Sequence, residues 1–269
     1  MRTDKKYQMG ILGCGNMGIA IAKGAVKNEY LERWQICAYD PDENAQELCR
    51  QEGIALMESE ADVVRNAHVV LFAMKQNQVD DVIKAIGDEP VNCVLSIVTG
   101  LSISYLQDRL NHVPVIRALP DTPLQINEGS TALCRSSNCK ADEYDFVFQL
   151  FQSMGVTRTI PEDKISETAA LHSLSAYIYY FVQSMLEDAK SRGVDEDSAR
   201  ALITQTVIGT GKLLKEHSRQ PIYEFIDEVA LNDDTIIEAL TAMLELNMFE
   251  IIHQANEKCI ARAEHIETK

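Results

Sequence analysis

The run Met9-Gly-Ile-Leu-Gly-Cys-Gly-Asn-Met-Gly-Ile-Ala20 holds the residues whose types and spacing point most directly to chemistry. A short apolar stretch leads into Gly13, Gly15 and Gly18, and a helical pattern follows at once. Strand, glycine turn and helix, in that order, form the context in which a backbone cradles a dinucleotide pyrophosphate. Gly13 permits the tight turn, and Gly15 lets the backbone come close to the phosphates. Gly18 lets the helix pack against the strand with its N-terminus aimed at them. Asn16 and Met17, between these glycines, are placed in the same cofactor site. Glycines also collect in ordinary turns, and it is the flanking strand and helix that favour the nucleotide reading.

A second strand ends at Cys37-Ala-Tyr-Asp40, and Asp40 lies some twenty residues beyond the glycine turn. An acid there accepts hydrogen bonds from ribose hydroxyls and repels a 2′-phosphate. No Lys or Arg follows until Arg50, so the expected cofactor is NADH in preference to NADPH. The competing role for this stretch is helix capping by Asp40-Pro-Asp-Glu43, and the two roles are compatible. Lys75 follows an apolar run, Val69–Ala73, at the edge of the sheet where ligands bind in open α/β folds. It is assigned to the cofactor side, against the plainer role of solvating a strand end.

The elements that must position these residues alternate. Strand-like runs at 8–12, 34–39, 69–73, 94–97, 115–118 and 130–134 are separated by helix-like stretches at 17–27, 44–52, 78–86, 102–110 and 142–153. Such alternation implies a mostly parallel sheet with helices on both faces. From about Glu162 the apolar residues recur at helical spacing, first across 165–189, then across 195–217, 221–229, 234–246 and 248–263. The expected division is a Rossmann-type dinucleotide-binding domain over 1–161 and an all-α dimerisation and substrate domain over 162–269. Two of the later helices are apolar around most of their circumference, a surplus that fits a homo-oligomeric interface.

The 269 residues carry a formal net charge of −16, and 46% are hydrophobic. That balance argues against nucleic acid, whose binders need a basic stripe to displace counterions. Seven cysteines without a C-x-x-C pair suit a reducing, cytoplasmic setting rather than a disulfide framework or a zinc site. Cys134 and Cys139 are close enough in sequence to meet, but without neighbouring histidines they make a poor metal site, and no metal is expected. No apolar leader or membrane-length run is evident.

Taken with the glycine turn, Val115-Ile-Arg-Ala-Leu-Pro-Asp-Thr-Pro-Leu-Gln-Ile-Asn-Glu-Gly129 closely resembles a segment of the pyrroline-5-carboxylate reductases. Arg117, Pro120, Thr122, Pro123 and Gly129 fit the R-x-M-P-N-T-P…G pattern. Leu119 replaces its Met and Asp121 its Asn, and Lys75-Gln76 stands for Lys-Pro. Ala201–Leu214, with Gln205, Thr206, Gly209 and Leu213-Leu214, resembles the family's long helix. The likeness runs from Gly10 to about Arg262. It implies hydride transfer from a nicotinamide to the C=N carbon of a five-membered cyclic imine, a proton reaching nitrogen, with L-proline as the usual product. It also implies a site completed by helices at a dimer interface, and it adds Asp121 to the cofactor set.

Two substrate motifs of that family are altered. G-S-G-P-A-Y reads His172-Ser-Leu-Ser-Ala-Tyr177, keeping Ser173, Ala176 and Tyr177. P-G-G-x-T reads Asn232-Asp-Asp-Thr-Ile236, with Asp233 and Asp234 at the glycines and Ile236 at the threonine. Two aspartates at a helix start would accept the backbone N–H groups otherwise offered to a carboxylate, and would repel that carboxylate. The catalytic candidates are therefore Ser173, Tyr177 and Thr235, with His172 as a proton donor; a helix histidine at a subunit contact is the plainer role for the last. The alternative expectation is a non-catalytic or regulatory paralogue that keeps the fold and the nucleotide site.

Overall fold

The computed structural model describes residues 5–231 and 234–267. The chain packs as two units, Met1–His172 with Cys259–Lys269, and Ser173–Lys258.

In the first unit, eight strands form one sheet in the order β3-β2-β1-β4-β5-β6-β7-β8. They are β1 (Tyr7–Leu12), β2 (Ile36–Tyr39), β3 (Ala55–Leu56), β4 (Ala67–Phe72), β5 (Cys93–Ser96), β6 (Val115–Pro120), β7 (Gly129–Arg135) and β8 (Gly155–Thr159). The helices between them are α1 (Asn16–Lys27), α2 (Glu43–Gln51), α3 (Glu60–Asn66), α4 (Val79–Ile86), α5 (Ile103–Arg109) and α6 (Ala141–Gln152), with α7 (Ile165–His172) after β8. Successive side chains of a strand point to opposite faces, and two cores result. Met9, Ile11, Val69, Leu71 and Leu95 pack under α1 and α6. Leu12, Val70, Phe72 and Val94 pack under α3, α4 and α5.

The sheet is parallel except at β6–β7, where Ala118 pairs antiparallel with Leu133. The strands there are joined only through a 3₁₀ turn, Thr122–Ile126, too short for the crossover that parallel neighbours need. Three elements were not expected from the sequence: β3, with two residues; α3, capped by the Ser59 hydroxyl on the Asp62 amide at 3.2 Å; and β8. The stretch 34–39 begins as a 3₁₀ turn, Arg33–Gln35, before β2.

The second unit is helical: α8 (Leu174–Ser191), α9 (Glu196–Glu216), α10 (Ile222–Ala230), α11 (Asp234–Glu245) and most of α12 (Met248–Glu267). The single helix expected over 165–189 is instead α7 and α8, interrupted at Ser173, which caps α8. After α8, Gly193 takes φ +82° just beyond the Arg192 C-cap, a left-handed helix stop that glycine adopts without strain. Among the described residues no helix is long and apolar enough to cross a membrane.

Candidate active site

β1 feeds α1 on one side of the sheet while β4 lies against its other edge. This reversal of strand order leaves a crevice at the C-terminal strand ends, where open α/β sheets bind ligands. A cleft of about 220 Å³ opens there, lined at its ends by Gly13 and Gly15, by Asp40 and Glu60, and by Lys75 and Gln78. Gly13 adopts φ +95°, and a Cβ on it would stand 2.8 Å from the Ala73 carbonyl. A Cβ on Gly18 would stand 2.2 Å from the Gly13 oxygen. Both positions therefore exclude a side chain. At Gly15 nothing lies within 4 Å of an added Cβ, so that residue leaves room for a ligand's phosphates. The first-turn amides of α1, at Asn16, Met17 and Gly18, have no acceptor within their own helix. They make the anion-binding end of the helix dipole.

Asp40 is held by two amides. Its Oδ2 accepts from Cys14 at 2.7 Å and its Oδ1 from Asp42 at 2.9 Å. The capping role belongs to Asp42, whose side chain accepts from Asn44 and Ala45 at the start of α2, so Asp40 remains on the cleft wall with lone pairs to offer. Arg50, the first basic residue after it, pairs with Glu47 at 3.1 Å. The Cys14 thiol, hydrogen-bonded to Cys49 and buried, is held well above the ordinary cysteine range and is no nucleophile. Cleft residues that sequence reasoning missed include Glu60, Tyr39 and Gln78. The cap signal Ser59-x-x-Asp62, which opens α3, is what would have located Glu60.

Asp121 stands elsewhere. It lies outside the cleft lining, and its oxygens accept from the amide and the hydroxyl of Ser130, each at 2.9 Å. The carboxylate thereby ties the end of β6 to the start of β7. His172, the last residue of α7, feels the Asp121 charge; burial nevertheless outweighs that charge and lowers the imidazole pKa. Burial thus works against the charged imidazole that a proton donor would need. Arg117, 3% exposed on β6, pairs with Glu162 at 3.0 Å, and Glu162 also accepts from the Ile103 amide. That pair joins β6 to α5 and to the turn before α7.

In the helical unit, Ser173 caps α8 and Tyr177 donates its hydroxyl to Asn256 Oδ1 at 3.1 Å, linking α8 to α12. Thr235 sits in the first turn of α11 and is exposed, with Ile236 next to it half-buried. Asn232, Asp233 and the side chain of Asp234 lie outside the described residues.

Residues 162–266 match the family model described as pyrroline-5-carboxylate reductase dimerisation. Residues 8–100 match that described as NADP oxidoreductase, coenzyme F420-dependent. A pyrroline-5-carboxylate reductase of Pasteurella multocida is 28% identical over 95% of this chain and 96% of its own length. The Escherichia coli protein of that name is 28% identical over 96% and 98%. Among solved structures, a Streptococcus pyogenes 1-pyrroline-5-carboxylate reductase superposes with a TM-score of 0.84 at 26% identity, over 96% of this chain and 98% of that one. A Plasmodium falciparum pyrroline carboxylate reductase with NADP bound gives 0.87 at 21% identity, over 98% and 99%.

Because the folded state lowers the His172 pKa, the unfolded chain takes up the proton more readily. This contribution costs nothing above the ordinary histidine value near 6.5, and it removes stability as pH falls from there towards the folded value. Burial lowers the His68 pKa as well, and the two histidines share the slope. Urea midpoints measured between pH 7.5 and 5.5 should fall, with a shallower fall in His172→Gln. An identical slope in that variant would contradict the assigned burial.

Proposed function

The chain belongs to the pyrroline-5-carboxylate reductase family, and from that premise we propose that it reduces pyrroline-5-carboxylate, or a closely related cyclic imine, to the saturated ring. The observation that carries this reading is the near full-length match to named reductases, 28% identical over 95% of the chain. Bound NAD(P)H would supply the hydride for the imine carbon. Gly13, Gly15 and Gly18 keep side chains out of its path, the first-turn amides of α1 meet its phosphates, and Asp40 accepts from its ribose. Lys75 brings the one basic side chain of the cleft lining. Ser173, Tyr177 and Thr235 are the polar groups offered to the imine and its carboxylate. His172, whose burial works against the charged form, serves as a hydrogen-bond partner there, and the proton for nitrogen comes from solvent or from a hydroxyl.

We read the cofactor as NADH in preference to NADPH. Two carboxylates, Asp40 and Glu60, line the cleft against a single lysine. Unit like charges 4 Å apart repel by ~1 kcal/mol in water and ~4 kcal/mol at an effective dielectric constant near 20. Even a value between these limits opposes a 2′-phosphate by roughly tenfold.

The 1–161 and 162–269 division is kept as a division of labour, supported by the family match that starts at 162. A homo-oligomer built on the C-terminal helices accords with the exposed apolar side chains of the second unit, among them Leu202 on α9 at 68% and Phe249 on α12 at 81%. Seven free thiols accord with a reducing cytoplasm.

Steady-state oxidation of NADH by purified protein should proceed with pyrroline-5-carboxylate at ordinary enzyme rates, on the order of 1–10³ s⁻¹. Silence there with turnover on a six-membered or carboxylate-free imine would assign a different substrate to the same chemistry. Silence on all three, with nucleotide still bound, would overturn the catalytic reading. Light scattering should show a dimer or larger assembly that Leu202→Asp combined with Phe249→Asp dissociates. A monomeric wild type at micromolar concentration would contradict the oligomer.

A further inference from the structure

At the end of the central strands opposite the cleft, three potential metal ligands from two places in the sequence converge, with a fourth, His68, beside one of them. Cys93 opens β5, His68 stands second in β4, and Cys139 and Glu143 flank the start of α6. Strand pairing sets Val69 beside Cys93, which brings His68 to the same end of the sheet. The two thiol sulfurs and a Glu143 carboxylate oxygen all lie within 4.8 Å of one another. His68 Nε2 stands 3.6 Å from Glu143 Oε1. Among the described residues no other trio of His, Cys, Asp and Glu ligand atoms comes as close.

Cysteines 93 and 139 are 0% and 8% exposed, and Glu143 is 1% exposed. A buried carboxylate costs several kcal/mol unless it is compensated. One oxygen of Glu143 has a local use, accepting the Lys140 amide at 3.1 Å in the cap of α6. A helix cap needs only that oxygen; the other, Oε1, faces the His68 imidazole, and one of the two completes the trio with the thiols. Lys140 Nζ, 3.7 Å from Glu143 Oε1 on a side chain 71% exposed, adds one positive charge at the rim.

We propose that Cys93, Cys139 and Glu143 form a structural site for one zinc ion, with His68, beside Glu143, turning in as the fourth ligand. Two thiolates, one carboxylate and one neutral imidazole suit a borderline-soft, tetrahedral cation. Bonds of about 2.0–2.3 Å give tetrahedral edges of about 3.3–3.8 Å. The His68–Glu143 separation already falls in that range, and the trio needs a contraction of at most about 1 Å. The bound group, Zn²⁺ with two thiolates and one carboxylate, carries one net negative charge, which Lys140 offsets. Binding releases the two thiol protons to solvent and involves no electron transfer. The site pins β4 and β5 to α6. It lies about 20 Å along β4 from the cleft at roughly 3.3 Å per residue, so its role is to hold the sheet and not to assist the reduction. The motif escaped sequence reading because no two of its thiols are close in the chain, and because Cys134, the partner considered for Cys139, lies on the opposite face of the sheet.

The test uses full-length protein, reduced with a phosphine, stripped with a chelator and titrated with Co²⁺ and then Zn²⁺. One equivalent of Co²⁺ should produce thiolate-to-metal charge-transfer absorption, which one equivalent of Zn²⁺ displaces, and Zn²⁺ should raise the Tm. Cys139→Ser should weaken Zn²⁺ binding at least ~100-fold, and His68→Gln by ~10–100-fold. Cys49→Ser, a control in the other thiol pair, should leave binding unchanged. Circular dichroism and retained nucleotide binding would establish that each variant is folded; should Cys139→Ser not fold, Glu143→Gln and His68→Gln carry the comparison. Absence of the charge-transfer band in folded, reduced wild type would overturn the proposal. So would a band indifferent to these substitutions, or a Cys93–Cys139 disulfide as the only stable state of the pair.

Discussion

The backbone of the first turn comes so close to its neighbours that no side chain fits. A methyl group on Gly18 would meet the Gly13 oxygen at 2.2 Å, and one on Gly13 would meet the Ala73 carbonyl at 2.8 Å. These contacts fix how far α1 can sit from β1 and β4, and the rest of the nucleotide site is measured from that distance. The helix start faces the crevice at the reversal of strand order. Cys14 is then presented to Asp40 at 2.7 Å, a charged hydrogen bond that extends the β1–β2 ladder to the start of α1. Gly15 is the exception that completes the site: a Cβ there would meet nothing within 4 Å. Two glycines serve packing, and the third leaves space for a ligand.

Electrostatics then sorts what can occupy that space. The helix end favours phosphates, while Asp40 and Glu60 at the ribose end favour hydroxyl donors. Asp40 already accepts two amide hydrogen bonds, which orient it without exhausting its lone pairs. The proposed preference for NADH rests on these carboxylates, which oppose a further phosphate. Away from the cleft, the pairing of buried Arg117 with the half-buried Glu162 shows that the arginine of the resemblance segment holds the end of β6 in place.

Much of this was legible in the sequence because it is local. The apolar run into Gly13 and the periodicity of α1 sit within twenty residues, as do Tyr39-Asp40 and its following cap. What escaped depends on tertiary context. The two-residue β3 borrows its hydrogen bonds from β2, and β8 exposes three of its five residues, so neither shows apolar alternation. The break between α7 and α8 falls in a continuous apolar pattern with no proline or glycine to mark it. Asp121 was assigned to the cofactor by its place in a motif; in the structure its oxygens accept from Ser130, a tie between β6 and β7 that the motif does not show. The lowered pKa of His172 is a consequence of burial, which no spacing reveals. The residues proposed to face the imine are spread over α8 and α11, on two separate helices, so no local signal groups them.

The central claim is that the glycine turn and Asp40 bind a dinucleotide and select the one without a 2′-phosphate. Equilibrium fluorescence titration of wild type and Asp40→Ser with NADH and NADPH tests it most directly. The account predicts that wild type binds NADH more tightly by about tenfold or more, and that Asp40→Ser narrows or reverses the gap. Equal affinities that the substitution leaves unchanged would contradict it, as would no binding of either nucleotide to folded protein.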